Sequence, residues 1–270
     1  MYLNKIISSI FLLILSLELG AQTTINFNQK NNTSANDKPV SSHKVLLIPF
    51  ENKMYMSEID HVINNHTNKL QKEIRWSFKD KIDEVLYRKF KTKYEVVSLV
   101  EDTLRNREEL KMIYQGIGYR FDKIPDQKNY KPPQSDYKNE GKLKNGHIVA
   151  TPNSTPRFMN AKIQDKSLLQ RLNKKYKTDI FVLINQLDLK SSASKSDKFG
   201  AEKLRTATIH YTIFDLQEKE INSGVSECNF PRDENDPDKI TTQYIEKAIE
   251  EIYQRVNKAL NPVNSVITGK

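Results

Sequence analysis

A single cysteine in 270 residues leaves this chain unable to cross-link itself. Cys228 has no disulfide partner and no companion for a thiolate zinc site. It also stands far from the amino-terminal region where a lipoprotein carries its acylated cysteine. Glycine is scarce, at eight residues, and none sits in a loop that follows a strand and opens a helix. The pair in GIG at 116–118 closes a helix instead, so it lacks the amide cluster that cradles phosphate. Neither H-E-x-x-H nor G-x-S-x-G occurs. After the first twenty residues no apolar run approaches the roughly 20 residues of a membrane-spanning helix. No cofactor is expected. Aromatic and basic residues do not interleave as nucleic-acid surfaces require, so nucleic acid is not an expected partner.

What is present divides cleanly. The opening MYLNKIISSIFLLILSLELGAQ has the form of a secretory signal peptide. Lys5 supplies the positive end, residues 6–17 the apolar run, and Gly20 with Ala21 a cleavage site ending the segment 1–21. The expectation is export with cleavage, a periplasmic address and no lipid anchor, since Gln22 stands where an acylated cysteine would be. Residues 22–43 are polar and read as a disordered leader. Residues 44–262 then read as one α/β domain, and 263–270 as a frayed tail.

Within the domain, the apolar run in KVLLIPF predicts a strand that Pro49 confines to an edge or terminus. Ile59, Ile63, His66, Leu70, Ile74, Phe78, Ile82, Leu86 and Phe90 recur at helical spacing. They predict one long helix capped by Ser57 and bent near Asn64-Asn65. YEVVSL is a second strand, and the segment after Asp102 a second helix. From 122 to 160 periodicity collapses into a polar, proline-containing excursion, with GHIVAT as one short strand inside it. Asp165 caps a third helix with Leu168, Leu169, Leu172 and Tyr176 inward. The run at 180–184 predicts a central strand, with Phe181, Leu183, Leu187 and Leu189 on one face and its far half open on the other. A hairpin follows, turning at 217–219, with Ile209, Tyr211 and Ile213 in the core and Thr208, His210 and Thr212 outside. The last helix is capped by Asp236 and Pro237 and stopped at Asn261-Pro262. The order β-α-β-α-excursion-α-β-β-β-α predicts a mixed sheet of about five strands, with helices chiefly on one face.

Candidate functional residues are few. The net charge of +9 is uneven: residues 69–93 hold nine Lys and Arg against four Asp and Glu, and 157–177 hold seven against one. This marks Lys69, Lys72, Arg75, Lys79, Arg157, Lys162, Arg171, Lys174 and Lys175 as a basic interaction surface for a protein or an anionic envelope surface. His61 and His66, five apart, fall about 140° around a helix and do not share a metal. Pairing 216 with 220 would set His210 opposite Ser226 with Cys228 diagonal, the one grouping that offers a base beside a nucleophile. Glu218, Glu220, Glu227, Asp233, Glu234, Asp236 and Asp238 lack the spacing of a calcium loop and read as a solvated acidic run.

The succession KVLLIPFEN, YEVVSL, NKKYKTDIFVLINQLDL and TIHYTIFDLQEKEINSGVSE is similar to the periplasmic module of the curli-secretion channel and penicillin-binding-protein-activator lipoproteins. It also resembles the amino-terminal domain of the TolB translocation protein. Pro49-Phe50, Asp179 and Asp215 occupy the matching positions. PFENKMYMSEID and the stretch from 160 to 190 resemble exported Bacteroidetes proteins of unassigned activity. The resemblance implies an envelope protein and no known enzyme. The expected function is a non-catalytic binding or assembly module with an unidentified envelope protein as partner. The rivals are an enzyme using His210, Ser226 and Cys228 on the polar sheet face, and an oligomer held on an anionic envelope surface.

Overall fold

A computed structural model describes residues 41–100, 103–125, 157–191 and 204–261. The signal segment, most of the leader, Asp102, residues 126–156 with GHIVAT, and the tail lie outside the described residues. The domain is mixed α/β, as the order of elements predicts. Strand β1 (Lys44–Ile48) lies parallel between β3 (Glu95–Ser98) and β6 (Ile180–Ser191). Strands β7 (Leu204–Asp215) and β8 (Glu220–Pro231) extend the sheet antiparallel, in the order β3-β1-β6-β7-β8. Pro49 has no N–H to donate, so the β1 ladder ends before it. The chain passes through a tight turn at Asn52–Met54 and returns as β2 (Tyr55–Ser57), parallel to the far half of β6.

The largest helices cover one face. Helices α1 (Asp60–Thr67), α2 (Gln71–Lys91) and α5 (Glu246–Leu260) bury Ile63, Phe78, Phe90, Ile249 and Ile252 against Val45, Val182, Ile184, Ile209 and Tyr211. At roughly 1.5–3 kcal/mol for each large side chain removed from water, this layer dominates the stability. The opposite face carries α3 (Thr103–Gln115), α4 (Leu168–Tyr176) and an antiparallel ribbon, β4 (Ile117–Lys123) with β5 (Arg157–Ile163). The edges of the excursion are therefore paired strands, which its polar composition concealed. Gly116 opens β4 where a Cβ would stand 3.1 Å from Leu168 Cδ2.

Three local predictions are corrected. The first helix is not bent at Asn64-Asn65 but broken at Asn68, which adopts φ 57°. Its N–H bonds Asn64 O at 2.7 Å, and the Asn64 amide donates to Lys69 O at 2.7 Å, closing α1 in a left-handed cap. Glu73 then accepts from Leu70 N at 2.7 Å to start α2. The break takes His66 and Leu70 out of the buried stripe, and both are exposed. Ser57 does not cap α1: it ends β2 and accepts from Ile59 N at 3.2 Å, and Ile59 takes the cap position with no side-chain bond.

The second correction concerns β6. Its pairing with β7 shifts between Ile184 and Gln186, which marks a bulge. Phe181 and Leu183 pack with α3 and α4, whereas Leu187 and Leu189 pack with α1, α2 and α5. The four do not share a face, because the extra residue inverts the alternation. The third correction is cover: Gln186, Asp188, Thr208, His210 and Thr212 are buried. The ribbon packs on this layer, and part of its backbone is satisfied by the side chains of His210, Thr212 and Asn185. Met159 N donates to His210 Nδ1 at 2.9 Å, Ala161 N to Thr212 Oγ1 at 3.1 Å, and the Asn185 amide to Met159 O at 2.9 Å. A half-exposed sheet face is thus a sealed polar layer.

The last helix begins as expected. Asp236 accepts from Asp238 N at 2.9 Å and Pro237 follows. A single turn, Pro237–Lys239, continues as a π-helical segment, Ile240–Ile245, before α5. The wider π turn carries the buried stripe from Ile240 to Ile245 and on to Ile249, Ile252 and Val256.

Candidate binding groove

The nucleophile grouping does not form. The hairpin register sets His210 opposite Val225, Ser226 opposite Ile209 and Cys228 opposite Ala207. A second shift between Ile213 and Phe214 displaces the expected pairing. His210 faces the ribbon, with Nε2 3.4 Å from Asp188 Oδ2. Ser226 faces the helices and donates to Glu251 at 3.0 Å. Cys228 packs against the helix-side core, and burial pushes its thiol up to about 12. The base and the thiol are on opposite faces of the sheet.

The basic surface is also redistributed. Arg171 pairs with Asp165 at 2.7 Å, Lys162 with Glu220 at 2.8 Å, and Lys175 with Glu109. Arg157 Nη1 donates to Phe121 O at 3.5 Å and Lys69 Nζ to Ser77 Oγ at 3.2 Å. Lys72 and Lys174 are exposed and Arg75 half-buried. Lys79 is buried, at 6% exposure. The acidic run is similarly engaged: Glu220 also accepts from Ser223 and Asn160, Glu227 from Thr208, and Glu234 from Asp236 N. Asp179 and Asp215 have structural tasks. Asp179 accepts from Lys44 N at 2.7 Å beside the start of β6, and Asp215 accepts from Gln217 N and Lys219 N, each at 2.9 Å, to shape the hairpin turn.

Lys79 leads to a feature that the other cations do not share. It stands where β1 ends, between helices packed on opposite sheet faces, the position at which open α/β sheets form crevices. Its Nζ donates to Asn52 Oδ1 at 2.7 Å and lies 5.1 Å from the centre of the Phe50 ring. Burial, and then the charge of Arg75, lower its pKa to about 8, against the opposing pull of Glu51. Above it opens a groove of about 900 Å³ lined by Glu51, Lys53, Trp76, Arg107, Lys111 and Tyr114, among others. Lys53 pairs with Glu51 at 2.8 Å, leaving the lining strongly cationic. Trp76, the single tryptophan of the chain, is 42% exposed there.

The groove has a firm floor. Tyr114 donates to Pro49 O at 2.8 Å, joining α3 to the end of β1, and burial raises its phenol well above the usual range. Ser98, at the end of β3, donates to Asp83 of α2 and accepts from Val100 N at 3.0 Å. Of the residues singled out in the sequence, only Lys79 lines this groove, with Arg75 close enough to act on it. The missed residues carried a usable signal: Glu51, Asn52 and Lys53 directly follow a parallel strand, and the lone tryptophan falls on a helix position outside the apolar stripe.

No family model matches the chain, and no curated protein does. Solved bacterial structures are similar in general arrangement. A hypothetical protein of Chlamydia trachomatis gives a TM-score of 0.40 at 10% identity, over 82% of this chain and 98% of its own. A lipoprotein of Neisseria meningitidis gives 0.34 at 8% identity, over 81% and 99%. A neuraminyllactose-binding hemagglutinin homolog from Helicobacter pylori gives 0.29 at 12%, over 86% and 89%. Scores and identities this low assign neither family nor function. Among the described residues no helix is long and apolar enough to cross a membrane.

Proposed function

We propose that the protein is a non-catalytic binding module of the bacterial cell envelope, whose groove receives an acidic segment of a partner protein. The observation that carries this reading is the meeting of Lys53, Lys79, Arg107, Lys111 and exposed Trp76 at the end of β1, where Tyr114 ties α3 to Pro49 O. Cations at a preformed crevice favour carboxylate side chains, and an exposed indole supplies apolar contact area at little entropic cost. The signal-like opening of the sequence supports an exported, envelope location. The likeness of KVLLIPFEN and its following segments to the curli-channel and TolB-type modules fits an assembly role. Catalysis is less favoured because His210 and Cys228 face opposite layers.

The test is affinity capture from the native envelope fraction with the wild-type protein and with a Lys53→Glu, Arg107→Glu, Lys111→Glu variant. A synthetic peptide of the partner's most acidic segment is then titrated while Trp76 emission is followed. The expected result is a partner lost on charge reversal and a peptide that shifts Trp76 emission with affinity falling as salt rises. A partner retained by the variant, or a peptide that leaves Trp76 unchanged, would overturn the reading.

A further inference from the structure

Farther along β6 in the same direction, past β2, the carboxyl ends of β6 and β8 and the start of β7 meet α1 around a pocket of about 550 Å³. Its lining includes His61, Ser191, Arg205, Arg232 and Asp233. Arg205 is 3% exposed, an unusual position for a guanidinium. Its Nη1 donates to Glu234 O at 3.2 Å and to Asn235 Oδ1 at 2.8 Å, both neutral acceptors. Its Nε is buried without a hydrogen-bond partner among the described residues. No carboxylate among the described residues lies within ion-pair distance of it; Asp233 acts on it only at longer range, and Arg232 opposes it with like charge.

A buried guanidinium is costly unless an anion meets it, and removing its last donor from water without a partner adds to that cost. The bonds made by Nη1 hold Arg205 to the turn after β8, where the residue lines the pocket. A guanidinium whose only acceptors are neutral remains a strong partner for an oxyanion. Exposed Arg232 and His61 line the same pocket, so that three donor side chains surround it, and a phosphate, unlike a carboxylate, has an oxygen for each. We propose that this pocket binds a phosphate group, with Arg205 as its buried cation and Arg232 and His61 as the outer donors. The site is separate from the groove beside Lys79 and shares no lining residue with it.

The phosphate can belong to a small soluble molecule or to a lipid headgroup, and two arms of one experiment separate these. In the first, inorganic phosphate and acetate are titrated calorimetrically into the mature protein, the Arg232→Gln variant and the Arg205→Lys variant. Phosphate is expected to bind and acetate to bind more weakly. Each substitution should weaken phosphate binding by about tenfold or more, the loss of one charged hydrogen bond. Arg232 is exposed and makes no hydrogen bond recorded among the described residues, so that variant tests the site even where Arg205→Lys disturbs the fold. In the second arm, phosphatidylglycerol–phosphatidylcholine vesicles are sedimented with the protein in the presence and absence of free phosphate. Binding that free phosphate displaces identifies a headgroup, and phosphate binding without vesicle binding identifies a soluble ligand. Absence of heat with millimolar phosphate, equal affinity for acetate, or full phosphate affinity in Arg232→Gln would each overturn the proposal.

Discussion

Replacing Lys79 by methionine isolates the physics of the groove floor. Methionine keeps much of the aliphatic stem over Phe50 and removes the ammonium. In the wild type that ammonium sits in a folded environment where its pKa falls from 10.5 to about 8, through burial first and Arg75 second, with Glu51 opposing. Below pH 8 both folded and unfolded chains hold the proton, and the folded state bears the full cost of the buried charge. Between about 8 and 10.5 the unfolded chain binds more protons than the folded one, so stability rises with pH. The shift corresponds to roughly 3 kcal/mol, most of it realised between pH 7 and 10. Tyr55, Tyr114 and Tyr119, whose phenols desolvation holds high, lower stability at the alkaline end in both proteins and largely cancel in the comparison. Urea denaturation at pH 7, 8, 9 and 10, followed by circular dichroism, gives the difference directly. Wild type should gain roughly 2–3 kcal/mol on Lys79→Met across that range. Superimposable pH profiles would refute the argument. An acidic ligand in the groove would restore the proton, so binding near pH 8 to 9 should be accompanied by proton uptake.

Three further outcomes follow from other places. The Cys228 thiol, pushed up to about 12, should react with a disulfide reagent at pH 8 on the order of 100-fold more slowly in the folded protein than in urea; equal rates would contradict its placement against the helix-side core. Asn185→Ala removes the amide that donates to Met159 O and to Thr212 Oγ1 and should cost about 2 kcal/mol by denaturant titration. An unchanged midpoint would mean that the ribbon does not depend on that layer. Asn68→Gly should leave the melting temperature nearly unchanged, whereas Asn68→Val should cost about 1–2 kcal/mol at the left-handed cap. Equal melting temperatures for the two variants would show that the cap is not required.

Much of the architecture was legible because it obeys simple periodicities. The strand at 180–184, the helix opened by Asp236 and Pro237, and the turn shaped by Asp215 each follow from local chemistry that the chain states openly. The failures occur where one residue changes the phase or where satisfaction comes from far away. Asn68 reads as an ordinary helix position until its backbone enters the left-handed region. The bulge beside Asn185 is invisible to an alternation count that assumes an uninterrupted strand. The ribbon was hidden because β4 and β5 are short and polar, and their backbone partners His210 and Thr212 are some fifty residues distant. The groove was missed for a related reason: Lys53, Trp76 and Arg107 belong to three different elements, and only the parallel pairing of β1 with β3 and β6 brings those elements to one end of the sheet.

The bulge in β6 has a wider consequence. One strand must address an apolar layer on both sides in its first half, and a polar layer on one side in its second. An uninterrupted alternation would need the sequence to place its polar residues on the odd numbers throughout. By inserting one residue, the chain changes step midway, and Leu187 and Leu189 join the same layer as Val182 and Ile184 while Asp188 is delivered beneath the ribbon. Straightening the strand with Asn185 kept in the ladder would therefore do far more than remove a kink. It would exchange the addresses of every later side chain, sending two leucines into the hydrogen-bonded layer and an aspartate into the oil beneath the helices. For this protein, position along β6 specifies which compartment a side chain enters, and Asn185 is the point at which the code changes.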